Sequence, residues 1–282
     1  MNPLPMNPKL LPLLLVLAAL APGAAAQAPV TPTQVIQLFN GQDLSQFTTW
    51  DRRHGREDKD QVFTVVERID GAPAIRISGQ HFGGLITRER YANYRFVAEF
   101  RWGLISWQPR RDKARDGGVL FHCQGEEGNI EPDMTGAYLR SVEYQIIEGG
   151  TGDLILVRGY ERGKPDLICP TLHTTITPGT RTWNPVGEAV LLTIGRHRTD
   201  WRLKDPAWKD ELGFRGRQDV EKPVGEWNRL EATCDGGSVA YYLNGVKVNE
   251  GRDGSCREGR ILIQSEGAEM FFRRIELQPL KP

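Results

Sequence analysis

The sequence predicts an all-β fold, an antiparallel sandwich or barrel with long loops. Short runs rich in β-branched and aromatic residues recur along the chain, and turn-forming residues separate them. The chain has 31 Gly and 18 Pro among 282 residues, so a turn signal lies between most of these runs. No segment sustains a helical apolar period over three turns. Many short strands with frequent turns are typical of two packed sheets.

The N-terminus carries an export pattern. Lys9 precedes an apolar run from Leu10 to Leu20, and the small residues Ala24–Ala26 follow. This order is typical of a secretory signal peptide, and the run is shorter than the roughly 20 apolar residues that a membrane span needs. We predict a signal peptide over residues 1–26, a secreted or periplasmic protein, and no membrane span after cleavage. A retained anchor is the alternative.

The rest of the chain is predicted to form a single domain over residues 35–282, after a disordered leader over 27–34 that is rich in Pro and Thr. Residues 103–118 and 149–226 break the rhythm of short strands, and we interpret them as long loops of that domain, which often carry function. The predicted strands are DQVFTVVER, PAIRISG, YRFVAEFRW, GGVLFHCQ, RSVEYQII, AVLLTIGRH, WNRLEATC, SVAYYLNGVKV, RILIQS and EMFFRRIELQPL.

Charge and motifs exclude several functions. The chain carries 36 Lys and Arg against 36 Asp and Glu, so nothing favours electrostatic binding of nucleic acid or anionic lipid. It has no G-x-S-x-G, H-E-x-x-H, P-loop or dinucleotide motif. Its four cysteines allow three disulfide pairings in an exported protein, and free buried thiols are equally compatible with the pattern. These cysteines are Cys123, Cys169, Cys234 and Cys256.

One predicted strand presents two polar side chains on a single face. In RSVEYQII, side chains alternate between the faces of the sheet, so Val142, Tyr144 and Ile146 share one face and Glu143 and Gln145 share the other. The apolar face suits the core between two sheets. The polar face lies either in solvent or in a cleft.

The strand GGVLFHCQ repeats this arrangement, with His122 on its polar face and Cys123 on the face of Val119. If the two strands are neighbours, His122 lies beside Glu143 and Gln145. A base of near-neutral pKa, a carboxylate and an amide would then meet. The alternative is a solvated polar face, which is normal for antiparallel sheets.

Other polar and aromatic residues are weaker candidates. Tryptophans could stack on sugar rings or pack in the core. Loop histidines and arginines could bind a ligand or lie in solvent, and Asp153 could be a turn residue only. These residues are Trp102, Trp107, Trp183, Trp201, Trp208, His81, His173, Arg110, Arg111, Lys113, Arg115 and Arg140.

Several motifs together resemble the 3-keto-disaccharide hydrolase family over residues 36–280. They are LFNGQDLSQF, GGVLFHCQ, RSVEYQIIEGGTGD, GEWNRLEATCDGGSVAYYLNGVKVNEG and GRILIQSEGAEMFFRRIELQPL. The resemblance implies a jelly-roll sandwich of the concanavalin A-like lectin/glucanase type. It also implies a hydrolase or lyase that cleaves glycosides oxidised at C3, by C2 proton abstraction, elimination of the glycosidic oxygen and hydration.

The resemblance assigns roles to residues of the two central strands. Glu143 is expected to be a base or metal ligand, and Gln145 a hydrogen-bonding partner of the substrate. His122 stands where the family more often has a basic residue such as Arg, and its role is general base or metal ligand. Together with Glu143 it could hold a divalent cation that stabilises the enediolate. Further expected substrate-binding residues are Arg140, Trp102, Glu148 and Asp153.

Two other functions are compatible with the same fold. One is a carbohydrate-binding module without catalysis, which binds sugar through tryptophans. The other is a retaining glucanase that uses Glu143 and Glu148, two carboxyl groups about 5–5.5 Å apart. In each case the partner is a small carbohydrate, and the sequence leaves the oligomeric state open.

Overall fold

The described part of the chain, residues 28–280 of a computed structural model, is built from β-strands. The predicted all-β class is confirmed. The strands are β1 Ile36–Gln37, β2 Phe47–Asp51, β3 Phe63–Ile69, β4 Ala72–Ile77, β5 Gly83–Thr87, β6 Tyr94–Ser106, β7 Asp116–Gln124, β8 Arg140–Ile147, β9 Leu154–Val157, β10 Leu172–Ile176, β11 Glu188–Leu192, β12 Arg198–Thr199, β13 Asn228–Asp235, β14 Ser238–Leu243, β15 Val246–Gly251, β16 Arg260–Ser265 and β17 Ala268–Pro279.

Two antiparallel sheets pack face to face. The first sheet has eight strands in the order β15-β14-β13-β6-β17-β4-β3, with β1 also on β17. The second sheet has seven strands in the order β12-β9-β8-β7-β16-β5-β2, and β10 and β11 form a separate hairpin. Strands distant in sequence are neighbours in both sheets, as in a jelly roll.

The core lies between the two sheets and is rich in aromatic residues. Tyr144 of β8 stacks on Tyr241 of β14 at 4.4 Å between ring centroids, and Phe121 of β7 meets Phe96 of β6 edge to face. Burying each such side chain contributes about 1.5–3 kcal/mol. Val142, Tyr144 and Ile146 all belong to this core, so the predicted apolar face of β8 is confirmed.

The outer face of the second sheet is also covered. Leu120 of β7, Leu262 of β16 and Ile86 of β5 form a second apolar cluster there. The segment between β7 and β8 supplies Tyr138 and Leu139 to the same cluster. Polar side chains on this face are therefore shielded by loops, and this shielding is what shapes the site described below.

The predicted long loops contain short strands. Within residues 149–226, β9 and β12 extend the second sheet and β10–β11 make the hairpin. Within residues 103–118, β6 continues to Ser106 and β7 begins at Asp116. The described residues contain no helix of the length and apolarity that a membrane span requires.

The N-terminal predictions fall partly outside the described residues. The predicted signal peptide lies wholly outside them. Of the predicted disordered leader, residues 28–34 are described. The Val30 N–H group donates to Arg90 O at 2.8 Å, and Val30 O accepts from Ala92 N at 3.0 Å. The disordered leader as a whole stays a prediction. All four cysteines are free thiols, and the Cys123 and Cys234 side chains are buried.

Candidate functional site

Strands β7 and β8 are neighbours at the centre of the second sheet, which meets the condition set in the sequence analysis. Leu120 lies opposite Glu143, and Gly118 lies opposite Gln145. Because side chains alternate along a strand and Tyr144 points into the core, Glu143 and Gln145 lie on the outer face. The polar side chains of β8 thus converge on the face that the loops cover.

Glu143 is held in a narrow space above the backbone of β7. Its side chain is only 6% exposed. A Cβ atom on Gly118 would come within 2.9 Å of Glu143 Oε1 and would collide with Oε1 of Gln264 from β16. The glycine at position 118 therefore leaves room for the carboxyl and the amide in these positions, and a larger residue would displace them. Gln264 is therefore a third polar group of this face, beside Glu143 and Gln145.

Burial changes the acidity of Glu143. Loss of water and the nearby Asp116 carboxylate raise the pKa of Glu143 to about 8, and Arg198 and a hydrogen bond from Gln264 act in the opposite direction. A carboxyl group that titrates close to neutral pH is suited to proton transfer as a general base or acid. A solvated surface glutamate would keep its ordinary value.

Asp116, at the start of β7, is the second carboxyl group of the site. Gln145 Nε2 donates to Asp116 Oδ1 at 2.5 Å and to Gly117 O at 3.1 Å, and Arg110 Nη2 lies 3.3 Å from Asp116 Oδ2. Burial raises the pKa of Asp116 to about 7, against the effect of Arg110. Gln145 thus has its amide turned toward the neighbouring carboxylate.

Glu266, in the turn between β16 and β17, completes a group of three carboxyls. Burial and the charges of Asp116 and Glu143 raise its pKa well above the ordinary value, while Arg110 opposes the shift. We call Asp116, Glu143 and Glu266 the carboxylate cluster. Because like charges repel in a buried space, the titration of these groups belongs to the cluster as a whole.

Arg198 of β12 supplies positive charge beside the cluster. It lies opposite Ile155 of β9, which in turn lies opposite Glu143. Arg198 Nη2 donates to Asp153 Oδ2 at 2.5 Å, and Lys204 Nζ donates to the same oxygen at 2.5 Å. Asp153 is fully buried, so its carboxylate holds these two cations in place and is not available to a ligand.

The family model described as the 3-keto-alpha-glucoside-1,2-lyase-like domain matches residues 34–278, nearly the whole described chain. The chain belongs to this family. The motif resemblance noted in the sequence is thereby confirmed, and the two packed antiparallel sheets agree with the predicted sandwich. A search of curated proteins finds no match.

Solved structures with a similar fold come from several carbohydrate-related proteins. A protein from Parabacteroides distasonis ATCC 8503, described as a candidate glycosyl hydrolase, is 17% identical over 88% of this chain and 94% of its own, with a TM-score of 0.47. The carbohydrate binding module CBM66 from Bacillus subtilis is 11% identical over 82% and 94%, with a TM-score of 0.42. The Bacillus licheniformis beta-glucanase is 8% identical over 87% and 97%, with a TM-score of 0.39.

His122 does not join the site of this 3-keto-alpha-glucoside-1,2-lyase-like domain, which corrects the prediction. A β-bulge shifts the register of β7 between Phe121 and Gln124, and His122 has a φ of 55°. Its ring meets Tyr94 edge to face at 6.1 Å in the core, and its Nδ1 lies 3.1 Å from Cys256 O. Burial lowers the pKa of His122 to about 4.

The bulge also moves the next residue. Cys123, expected on the core face with Val119, belongs instead to the outer apolar cluster. The extra residue reverses the alternation of β7 beyond Phe121. His122 and Glu143 consequently lie on opposite faces of the second sheet, and they do not form the predicted pair of metal ligands.

Trp102 lies in the core, where it cannot stack on a sugar. It is 1% exposed, packs edge to face on Phe100, and donates from Nε1 to Glu221 Oε1 at 2.6 Å. The predicted role of Trp102 in substrate binding is wrong for this reason.

Glu148 and Arg140 serve other contacts. Arg115 Nη1 donates to Glu148 Oε1 at 2.8 Å, and Gly213 N donates to Glu148 Oε2 at 3.1 Å. Glu148 is 1% exposed, so this ion pair occupies the carboxylate that a glucanase would need. Arg140 lines a different cavity, of about 340 Å³, together with Cys169 and Cys256.

Sequence reasoning missed most of the groups around Glu143. Asp116 stands directly before the Gly-Gly pair of β7, and Gln264 and Glu266 lie in the QSEG segment of the closing motif. The motif was noted for the resemblance, but its polar residues were not assigned a role. Arg198 lies in a two-residue strand that has no recognisable pattern in the sequence.

Proposed function

We propose that the chain is a carbohydrate-active enzyme that cleaves 3-keto-glycosides, with Glu143 as the base. Family membership supports this substrate class. The observation that carries the chemistry is the buried Glu143 carboxyl group, whose pKa is raised to about 8 and which lies between two amides on a covered face. A base with a pKa near the working pH transfers protons most effectively.

The reaction begins at C2 of the oxidised sugar. The carbonyl at C3 makes the C2 proton acidic, so ionised Glu143 removes it and the electron pair moves into an enediolate. The enediolate then re-forms the C3 carbonyl and expels the glycosidic oxygen from C1, which leaves a C1–C2 double bond. Addition of water across this bond gives the net hydrolysis product. Release before hydration would give the lyase product.

Four further groups of the site have assigned roles in this scheme. The Arg198 guanidinium supplies positive charge for the enediolate oxygen, since it already opposes the raised pKa of Glu143 and preorganised charge stabilises a developing anion. Asp116, whose pKa is raised to about 7, protonates the leaving oxygen. Because the pKa of Glu143 is higher, the reactive form, with Glu143 ionised and Asp116 protonated, is the minority protonation state of the pair. Gln264 and Gln145 orient the sugar through their amides.

This scheme differs from that of a retaining glucanase, which needs a second free carboxylate as nucleophile. Glu148, the predicted partner, is held by Arg115. A binding module based on Trp102 stacking is disfavoured as well, because that side chain is buried in the core.

We further propose that the enzyme acts after export, with residues 1–26 as its signal peptide.

The test compares a glucoside with its 3-keto derivative and follows release of the aglycone, with and without EDTA. Cleavage of the 3-keto form alone supports the proposal. Cleavage of both forms would favour a glucanase, and binding without cleavage would favour a binding module. Glu143→Gln removes the base, and Glu67→Gln on the exposed surface of β3 is the matched control. Activity that survives Glu143→Gln would refute the assignment.

A further inference from the structure

A second group of chemically reactive side chains lies away from the carboxylate cluster. His54, Asp60 and His81 place one ligand atom each within 4.8 Å of one another. His54 follows β2, Asp60 precedes β3, and His81 lies between β4 and β5. Among residues 28–280, no other group of three His, Cys, Asp or Glu side chains meets this spacing.

The distances fit the edges of a tetrahedral zinc site. With metal–nitrogen and metal–oxygen distances of about 2.0–2.2 Å, two ligand atoms of a tetrahedron lie roughly 3.3–3.5 Å apart. His54 Nδ1 is 3.4 Å from Asp51 Oδ2 and 3.6 Å from Asp60 Oδ2. His81 Nε2 is 2.7 Å from Asp60 Oδ2. Of these three separations, only the last needs to lengthen, by less than an ångström, around a bound ion.

His54 provides an independent sign of a missing partner. Its Nδ1 atom is buried and makes no hydrogen bond within the protein, although it faces two carboxylates. A buried polar atom without a partner costs roughly 1–3 kcal/mol. A cation between Nδ1 and the carboxylates of Asp51 and Asp60 removes that cost.

The protein already holds these groups in position. Asp51 Oδ1 accepts from the backbone N–H groups of Arg53 and His54, both at 2.7 Å, which leaves Oδ2 free to face the histidine. The backbone oxygen of His81 accepts from Ser265 Oγ at 2.6 Å. Metal sites gain affinity when a second set of hydrogen bonds orients the ligands in this way.

The charge balance also favours a dication. Asp51 and Asp60 together carry two negative charges, which compensate a divalent ion bound by two neutral imidazoles. Arg53 also lies nearby, but it is one positive charge against two negative ones. Imidazole and carboxylate ligands suit zinc and similar ions, and calcium and magnesium prefer oxygen ligands alone.

We propose that His54, His81, Asp60 and Asp51 form a structural site for a zinc-type divalent cation. The ion would tie the segment after β2 to the loop before β5. That loop continues into Phe82. The Phe82 ring lies 3.5 Å from the position that a Cβ atom on Gly267 would occupy. Gly267 directly follows Glu266 of the carboxylate cluster. The site is separate from the proposed catalytic groups, and its existence does not depend on the proposed reaction.

Calorimetric titration of the tag-free full chain with zinc chloride tests the proposal. We expect one zinc ion per chain and no heat with calcium chloride. His81→Ala and His54→Gln should each lower zinc affinity at least about tenfold, by analogy with the loss of a supporting contact at metal sites. His173→Gln alters an exposed histidine on β10 and should leave the affinity unchanged.

Two controls keep the result interpretable. A Cys169→Ser/Cys256→Ser variant shows whether thiols bind the ion: zinc binding that persists in His81→Ala and is lost in the cysteine variant overturns the proposal. If the histidine variants do not fold, the visible absorption spectrum of cobalt bound to the wild-type protein tests the site instead. Tetrahedral nitrogen–oxygen coordination supports the site, and a spectrum of hydrated or thiolate-bound cobalt contradicts it.

Discussion

Replacing Glu143 with glutamine should destroy activity and stabilise the protein at the same time. The substitution preserves size and shape but removes the ionisable group. Loss of a general base lowers the rate by about 10²–10⁴-fold. The stability effect follows from the environment of the carboxyl group, which is 6% exposed and faces Asp116 across the sheet.

The stability effect has a defined sign. The folded chain keeps the Glu143 proton up to a pKa of about 8, whereas the unfolded chain releases it near the ordinary value of 4.5. Folding stability therefore falls as pH rises between these two values. Each pH unit within this window is worth about 1.4 kcal/mol, so the wild type loses up to about 3 kcal/mol at pH 7 through this group. Glu143→Gln has no ionisable group at this position, so its folding stability does not fall with pH in this way.

Urea denaturation at several pH values measures this effect. The stability of Glu143→Gln relative to the wild type should increase from about pH 5 to pH 8 and then level off. Glu67→Gln on the exposed surface of β3 should show no such dependence. A difference between Glu143→Gln and wild type that stays constant with pH would refute the argument that Glu143 is buried with a raised pKa.

Four other predictions follow from the site, the core and the N-terminus. The kcat/KM for a 3-keto-glycoside should follow a bell-shaped pH profile, with limbs near the pKa values of about 7 for Asp116 and about 8 for Glu143; a flat profile from about pH 6 to pH 9 would contradict it. Gly118→Ala should lower kcat at least about tenfold because its methyl group displaces Glu143 and Gln264, and unchanged kinetics would contradict the packing. Trp102→Phe should cost about 1–3 kcal/mol in urea denaturation, since it removes the hydrogen bond to Oε1 of the buried Glu221 and leaves only the one from Thr151 to Oε2, while KM stays the same. Edman sequencing of the exported protein should begin at Gln27; retention of residues 1–26 would refute the predicted signal peptide.

The division of β8 into two faces could be predicted from sequence because alternation is a local property of an extended strand. Val142, Tyr144 and Ile146 follow it into the core, and Glu143 and Gln145 follow it to the outer face. The neighbouring position of β7 was a hypothesis from the motifs, and the pairing of Leu120 with Glu143 confirms it.

The position of His122 could not be predicted in the same way. Its positive φ belongs to a bulge, and a bulge depends on how β7 meets β8 and β16. No local residue pattern marks it, because histidine adopts positive φ more often than most residues but still in only a small minority of cases. Alternation predicts the face correctly up to Phe121 and fails at the next residue.

The covering of the outer face is what separates a site from a solvated strand, and sequence patterns do not report it. Glu143 would look the same in the sequence if the surrounding loops lay elsewhere. Its high pKa arises because Tyr138 and Leu139 close one side of this face while Asp116 brings a second carboxyl from the adjacent strand. Proton transfer at neutral pH therefore depends on long-range packing, and the stability that Glu143→Gln recovers is the measurable cost of that arrangement.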